Sequence, residues 1–156
     1  MLGNVQMQVR AVPLDPFAAL LLSVHHAEAV EVIDADFIRR ARLESGMSGS
    51  DVVAEVCEGL GINPIDLVSD CRARYLTDGR SVAGVILYAR GLSLPQVAPM
   101  LGLTDHSSVI HLRRRWNEHR HCDDLLAAVF NRVALRAGVT PAIAAARGVV
   151  WAELPA

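Results

Sequence analysis

The sequence predicts an all-α fold: a helical bundle that contains a helix-turn-helix, with a helical segment appended at its N-terminus. Three observations carry that expectation. Apolar residues recur at helical spacing along most of the chain, and no segment sustains the alternation of a strand. Helix starts and stops are written out as capping residues, first-turn prolines and terminal glycines. Of the 156 residues 52% are apolar but only 4% aromatic, so the core rests on Ala, Val, Leu and Ile.

The elements follow in order. Asp15-Pro16 reads as a capping acid followed by proline at the first helical position, and the apolar run Phe17–Val24 continues into a helix ending between Val30 and Asp34. Asp34 or Asp36 caps a second short helix, Phe37–Glu44, basic on one face through Arg39, Arg40 and Arg42. Ser45-Gly46-Met47-Ser48-Gly49-Ser50 is the clearest linker. It separates an N-terminal helical appendage, residues 1–46, from the main domain, residues 50–133. Ser50 or Asp51 caps a helix with Val52, Val53, Val56 and Leu60 on one side, ended by Gly61. Asn63-Pro64 opens a helical turn to Val68, and Asp70–Gly79 reads as a basic loop holding Arg72 and Arg74. Arg80–Arg90 is a buried helix through Val82, Ala83, Val85, Ile86 and Ala89, closed by Gly91. Ser93 starts the helix Leu94–Leu101, with Pro95 in its first turn and Gln96 at capping-box spacing. A turn at Gly102 leads to a helix from about Asp105, and Asp123-Asp124 caps another over Leu125–Phe130. Residues 134–156, with Pro141 and Trp151, form a tail expected to cover the apolar N-terminal helix.

Composition removes several function classes. All fifteen basic residues are arginine. Without lysine there is no P-loop lysine, no Schiff base and no kinase-type phosphate clamp, so no nucleotide is expected. The run Phe17–Val24 is too short to cross a bilayer. It follows Asp15 without a basic start, so it makes a poor signal peptide and no membrane partner is expected. Cys57, Cys71 and Cys122 are odd in number and lack paired metal spacing, which fits reduced thiols in a cytoplasmic protein, two of them simply packed. His111, His119, His121 and Cys122 match no zinc-finger spacing. With no catalytic constellation either, the expectation is no metal, no cofactor and no enzyme.

The net charge of −2 hides an asymmetry. Residues 1–70 hold eleven acids and four arginines (−7), whereas residues 71–156 hold six acids and eleven arginines (+5). Such a basic block either meets a polyanion or forms solvated arginine-rich helix surfaces, and charge alone leaves both readings open.

The segment Ser93–Trp116 carries the strongest signal. Ala98 and, four residues on, Gly102 are small, as close packing around a tight turn requires. Val109 falls slightly later than the next core residue of an ordinary helix-turn-helix, which suggests a turn one residue longer. At roughly 100° per residue, Val109, Leu112 and Trp116 form one stripe of the second helix, while Ser107, His111 and Arg114 form the opposite one. Short polar side chains at a helix N-terminus with arginines further along suit a recognition helix in the major groove. The front residues reach base edges, and the later arginines hold phosphates.

Thr104-Asp105-His106-Ser107-Ser108-Val109-Ile110-His111 closely resembles the signature of the C-terminal DNA-binding domain (domain IV) of the bacterial replication initiator family DnaA, a Trp-repressor-like helix-turn-helix. That family typically reads Arg-Asp-His-Thr-Thr-Val-Leu-His here. The resemblance extends to Ser93-Leu94-Pro95-Gln96-Val97, to Val53-Ala54-Glu55 and to Asp66-Leu67-Val68-Ser69, with Arg72 and Arg74 in the family's basic loop. It covers Ser50 to Val133. The resemblance implies that Asp105, His106 and Ser107 read bases, and that Arg72 enters the adjacent minor groove, where narrow A·T-rich steps attract guanidinium. It further implies phosphate contacts at Ser108, the backbone around Leu94 and Pro95, Arg74, Arg80, His111, Arg114 and Arg115. Double-stranded DNA is the implied partner. The departures are serines in place of both signature threonines, Asp70 and Cys71 where the family's loop is more basic, and a connection before Ser93 one residue shorter. With neither room nor lysine for the family's ATPase domain, the expectation is a free-standing sequence-specific DNA reader. It would control transcription or replication as a regulator, an origin competitor or a mobile-element protein. The apolar helix around Leu20, Leu21, Leu22 and Val24 is expected to pack against the DNA-binding domain or to form a homodimer that pairs two recognition helices. The alternative is an interaction protein, in which the acidic N-terminal half binds another protein and the helical fold serves as scaffold.

Overall fold

A computed structural model describes residues 33–120 and 123–153. The expected helix at Phe17–Val24, with its dimerisation role, and His121 and Cys122 lie outside the described residues. Among those described, the chain is all-helical, without strands. The helices are α1 (Ala35–Ser45), α2 (Gly49–Leu60), α3 (Pro64–Leu67), α4 (Arg74–Ala89), α5 (Leu94–Met100), α6 (Ser107–His119), α7 (Asp124–Arg136) and α8 (Pro141–Ala146). None of them is long and apolar enough to cross a membrane.

Local chemistry sets most of the boundaries. Asp34 accepts from the Phe37 N–H at 2.8 Å, which caps α1. The cap of α2 is Ser48, where Ser50 or Asp51 was expected. Asp51 instead occupies the third helical position and returns a bond to the Ser48 N–H at 2.9 Å, completing a capping box. Ser93 and Gln96 make the same reciprocal pair at the start of α5.

The largest departure from expectation is α4, which begins at Arg74 where a loop was expected to Gly79. Leu76 explains it, since that side chain is buried in the core and draws the first turn inward. Gly79 is a packing residue there, because a Cβ at that position would meet Ile62 and Leu67 side chains at 2.6 and 3.1 Å. Both faces of α4 are buried, and α2, α6, α7, α5 and α8 pack around it.

Residues on either side of the 45–50 connection share one hydrophobic cluster. Ile33 and Ile38 belong to it together with Val56, Ile86 and Phe130. The connection itself is short and tied down, with the Arg90 Nη2 donating to Met47 O at 2.5 Å and to Ser45 Oγ at 3.4 Å. The tail closes the other side. Trp116 stacks on Phe130 at 4.6 Å, Trp151 meets the same ring edge-on at 5.0 Å, and the Trp116 Nε1–H donates to Val150 O at 2.9 Å. Val149 and Ala152 are buried in the same core.

Candidate nucleic-acid interface

Two helices and one loop build the site. Six residues, 101–106, join α5 to α6. Gly102 makes this turn possible, with φ of +72° and with its α-carbon pressed so close to Val68 that a Cβ would overlap the Val68 carbonyl. The Leu103 N–H donates back to Ala98 O at 2.9 Å, and Ala98 is buried against the neighbouring helix as its small size allows. The helix α6 starts at Ser107, two residues later than expected, because the Asp105 carboxylate accepts from the Ser107 N–H at 2.9 Å. That backbone bond, then a bond from the Ser107 side chain, holds the Asp105 carboxyl below the usual carboxylate range, with smaller contributions from His106 and His111 nearby.

The faces of α6 divide as the spacing predicts. Val109, Leu112 and Trp116 are buried. Asp105, His106, His111 and Arg114 are exposed, and Ser107 and Ser108 are half-buried at the N-terminal end. His111 and Arg114 meet at 3.5 Å across one turn. At the start of α5, Pro95 is exposed and Leu94 half-buried.

Beside α6 lies an open cleft of about 450 Å³ lined by Arg72, Arg74, Thr77, Arg115 and His119. Arg72 and Arg74 are exposed there. Arg115 is less available than the sequence implied, because its guanidinium is paired with Asp78 at 2.9 Å and its side chain is 33% exposed. Asp78 also stands 4.0 Å from Arg74. Thr77, Asp78 and His119 were not foreseen as parts of this surface. The helical spacing 115/119 was visible in the sequence, but 74/78 fell in the expected loop, and the contact between α4 and α6 that joins the two pairs leaves no local signal.

Arg80 is a correction. Expected on a phosphate, it is buried at 5% exposure. Its guanidinium donates to the carbonyls of Leu67 (2.6 Å), Cys71 (2.8 Å), Ser69 (2.8 Å) and Asp66 (3.3 Å). It therefore holds the 66–71 loop that leads into Arg72. Of the two described cysteines, Cys57 is buried, with burial pushing its thiol pKa up, and Cys71 is exposed on that same loop. Among the described residues no cluster of His, Cys, Asp and Glu could hold a metal ion.

These features define an all-helical protein that presents the polar N-terminal face of one helix beside a cleft rich in arginine. Over 122 residues the chain is 27% identical to the chromosomal replication initiator protein DnaA of Cutibacterium acnes (strain DSM 16379 / KPA171202), a match that covers 75% of this chain and 24% of that protein. The similarity supports a DnaA-related segment, and the chain spans about a quarter of the length of that relative. No protein-family profile and no solved structure matches the chain.

Proposed function

We propose that the chain binds double-stranded DNA sequence-specifically, by setting the N-terminal half of α6 into the major groove, and acts by binding rather than catalysis in the control of replication or transcription. The observation that carries this reading is the placement of the Thr104–His111 segment. Its polar residues lie at the open end of α6, and Val109 within it and Leu112 just beyond it are buried in the core. In this reading Asp105, His106 and Ser107 meet base edges, and Ser108, His111, Arg114 and the backbone at Leu94 and Pro95 meet phosphates. Arg72, with Arg74 beside it, tracks the adjacent minor groove. The similarity to part of DnaA favours a role in replication over a generic basic surface. Arg80 serves the same reading from the inside, by fixing the loop from which Arg72 projects.

Fluorescence anisotropy tests it, with a duplex carrying the initiator family's box (TTATCCACA) and a scrambled duplex at two salt concentrations. Tight, box-selective binding supports the base-reading residues. Equal, salt-sensitive binding to both keeps DNA as partner and means that specificity has moved from the family's box or been lost, as the serines at 107 and 108 would cause. No binding to either at low salt overturns the reading and makes a protein partner the next candidate. Within a positive result, His106→Ala should relax specificity at a cost of roughly 1–3 kcal/mol.

A further inference from the structure

A second arginine cleft lies where α4 ends. Arg39 and Arg42 of α1, with Arg90 and Arg147, line a half-open cavity of about 220 Å³ together with Ile38 and Gly91. No carboxylate is among its described lining residues. The nearest partner of Arg39 is Asp36, 3.6 Å away and itself largely exposed, a surface pair of little strength.

The guanidiniums are held by neutral oxygens. Arg42 Nη1 donates to Arg90 O at 3.2 Å, and Arg90 Nε donates to Ala137 O at 3.2 Å. Arg147 donates to Tyr88 O at 3.0 Å and to Leu92 O at 2.9 Å. Such bonds fix the orientation of a cation and leave its charge in place. Among the described residues, Nη1 of Arg90 and Nη1 of Arg147 have no protein acceptor. Arg90 is buried at 2% exposure, so its charge sits in low dielectric. Burial first, and then the positive charge of Arg42, lower its pKa, whereas Asp51 acts the other way from outside the cleft.

We propose that this cleft is a phosphate-binding site, in which Arg39 and Arg42 offer guanidinium edges, and Arg90 and Arg147 their remaining Nη1 groups, to the oxygens of one phosphate group. Fork geometry suits phosphate oxygens, and a dianion in the cleft relieves the crowding of like charge. Two sources can supply the group. One is a free phosphate-bearing small molecule. The other is the backbone of DNA, and in that case the inference rests on the proposed function. The cleft is suitably placed for it. Arg113 of α6 reaches Arg147 O at 3.4 Å, and both arginines stand over the Tyr88 ring, at 5.1 and 4.0 Å. Arg113 and Arg115 flank the buried stripe of α6 on opposite sides, Arg115 lining the first cleft and Arg113 touching Arg147 of the second.

The test uses the full chain. Thermal unfolding is followed in inorganic phosphate against chloride at matched ionic strength, for the wild type, Arg39→Gln, Arg42→Lys and, as control in the other cleft, Arg72→Gln. The expected result is a melting temperature that climbs with phosphate concentration in the wild type and in Arg72→Gln. In Arg39→Gln and Arg42→Lys the phosphate dissociation constant should weaken about tenfold. Phosphate no better than chloride in the wild type overturns the proposal. So does a gain that survives both α1 variants and vanishes in Arg72→Gln. DNA titrations then separate the sources. If DNA supplies the phosphate, Arg39→Gln reduces the salt slope of binding by about 0.9. An unchanged slope with Arg39-dependent phosphate stabilisation assigns the site to a small ligand. A chain that binds no DNA but keeps that stabilisation loses the proposed function and retains this site.

Discussion

Arg80 and Arg72 divide one task between an inner and an outer residue. Four carbonyl oxygens converge on the Arg80 guanidinium, and the loop they belong to carries Arg72 outward. Replacing Arg80 with methionine leaves those carbonyls without their donor, so Arg80→Met should cost ~3 kcal/mol of stability in urea unfolding. Arg72→Ala should stay within about 0.5 kcal/mol of the wild type and lose duplex affinity instead. Asp78 works against the cleft it borders, because it neutralises Arg115 at 2.9 Å. Asp78→Asn should therefore tighten binding to matched and scrambled duplexes alike, read by anisotropy. Asp105 gives a pH signature. Its folded pKa lies below its unfolded value, so its contribution is complete above the ordinary carboxylate range and is lost as pH falls through the lower folded value. The stability difference between wild type and Asp105→Asn should accordingly shrink below about pH 4. At this scale the sequence showed which residues carry charge but not what neutralises them. The Arg115–Asp78 pair spans 37 positions and the Arg80–Leu67 bond 13, distances at which no local periodicity speaks.

Helices were legible where their ends are chemical. Ser93 with Gln96, Asn63 with Pro64, and Asp123 before Leu125 all cap the helices they precede. The start of α4 was not legible, because Ala73 supplies no side-chain cap and the turn is held by burial of Leu76. Ser48, the cap of α2, stands two residues before the expected Ser50, a shift of register that a run of serine and glycine does not resolve. The six-residue connection before α6 depends on one backbone conformation. Gly102→Ala should cost more than ~2 kcal/mol, since it adds the left-handed penalty to a clash with the Val68 carbonyl. Gly46→Ala, with a similar φ of +73° but open space around it, should cost only about 1–2 kcal/mol. A thermal melt of both variants separates the conformational part from the steric one.

At the scale of the molecule, the core runs through every described segment. Phe130 is fully buried, and its ring is enclosed by Trp116 of α6 and Trp151 of the tail. Residues 134–153 therefore complete the body of the domain. In the sequence they read as a tail with Pro141 and Trp151, without a sign of α8 or of the Phe130 ring that Trp151 meets. A chain shortened to residue 138 should lose the single cooperative unfolding transition, because Trp116 and Phe130 are then exposed together; calorimetry reads this directly. The bond from Trp116 to Val150 and that from Asn117 to Gly148 also order events in time. During synthesis the proposed recognition helix leaves the ribosome about thirty residues before the strap that braces its far side, an interval of a few seconds at ~5–20 residues per second. A nascent chain thus displays the polar face of α6 before that helix has its final footing, and emergence of Gly148 and Val150 is what locks it.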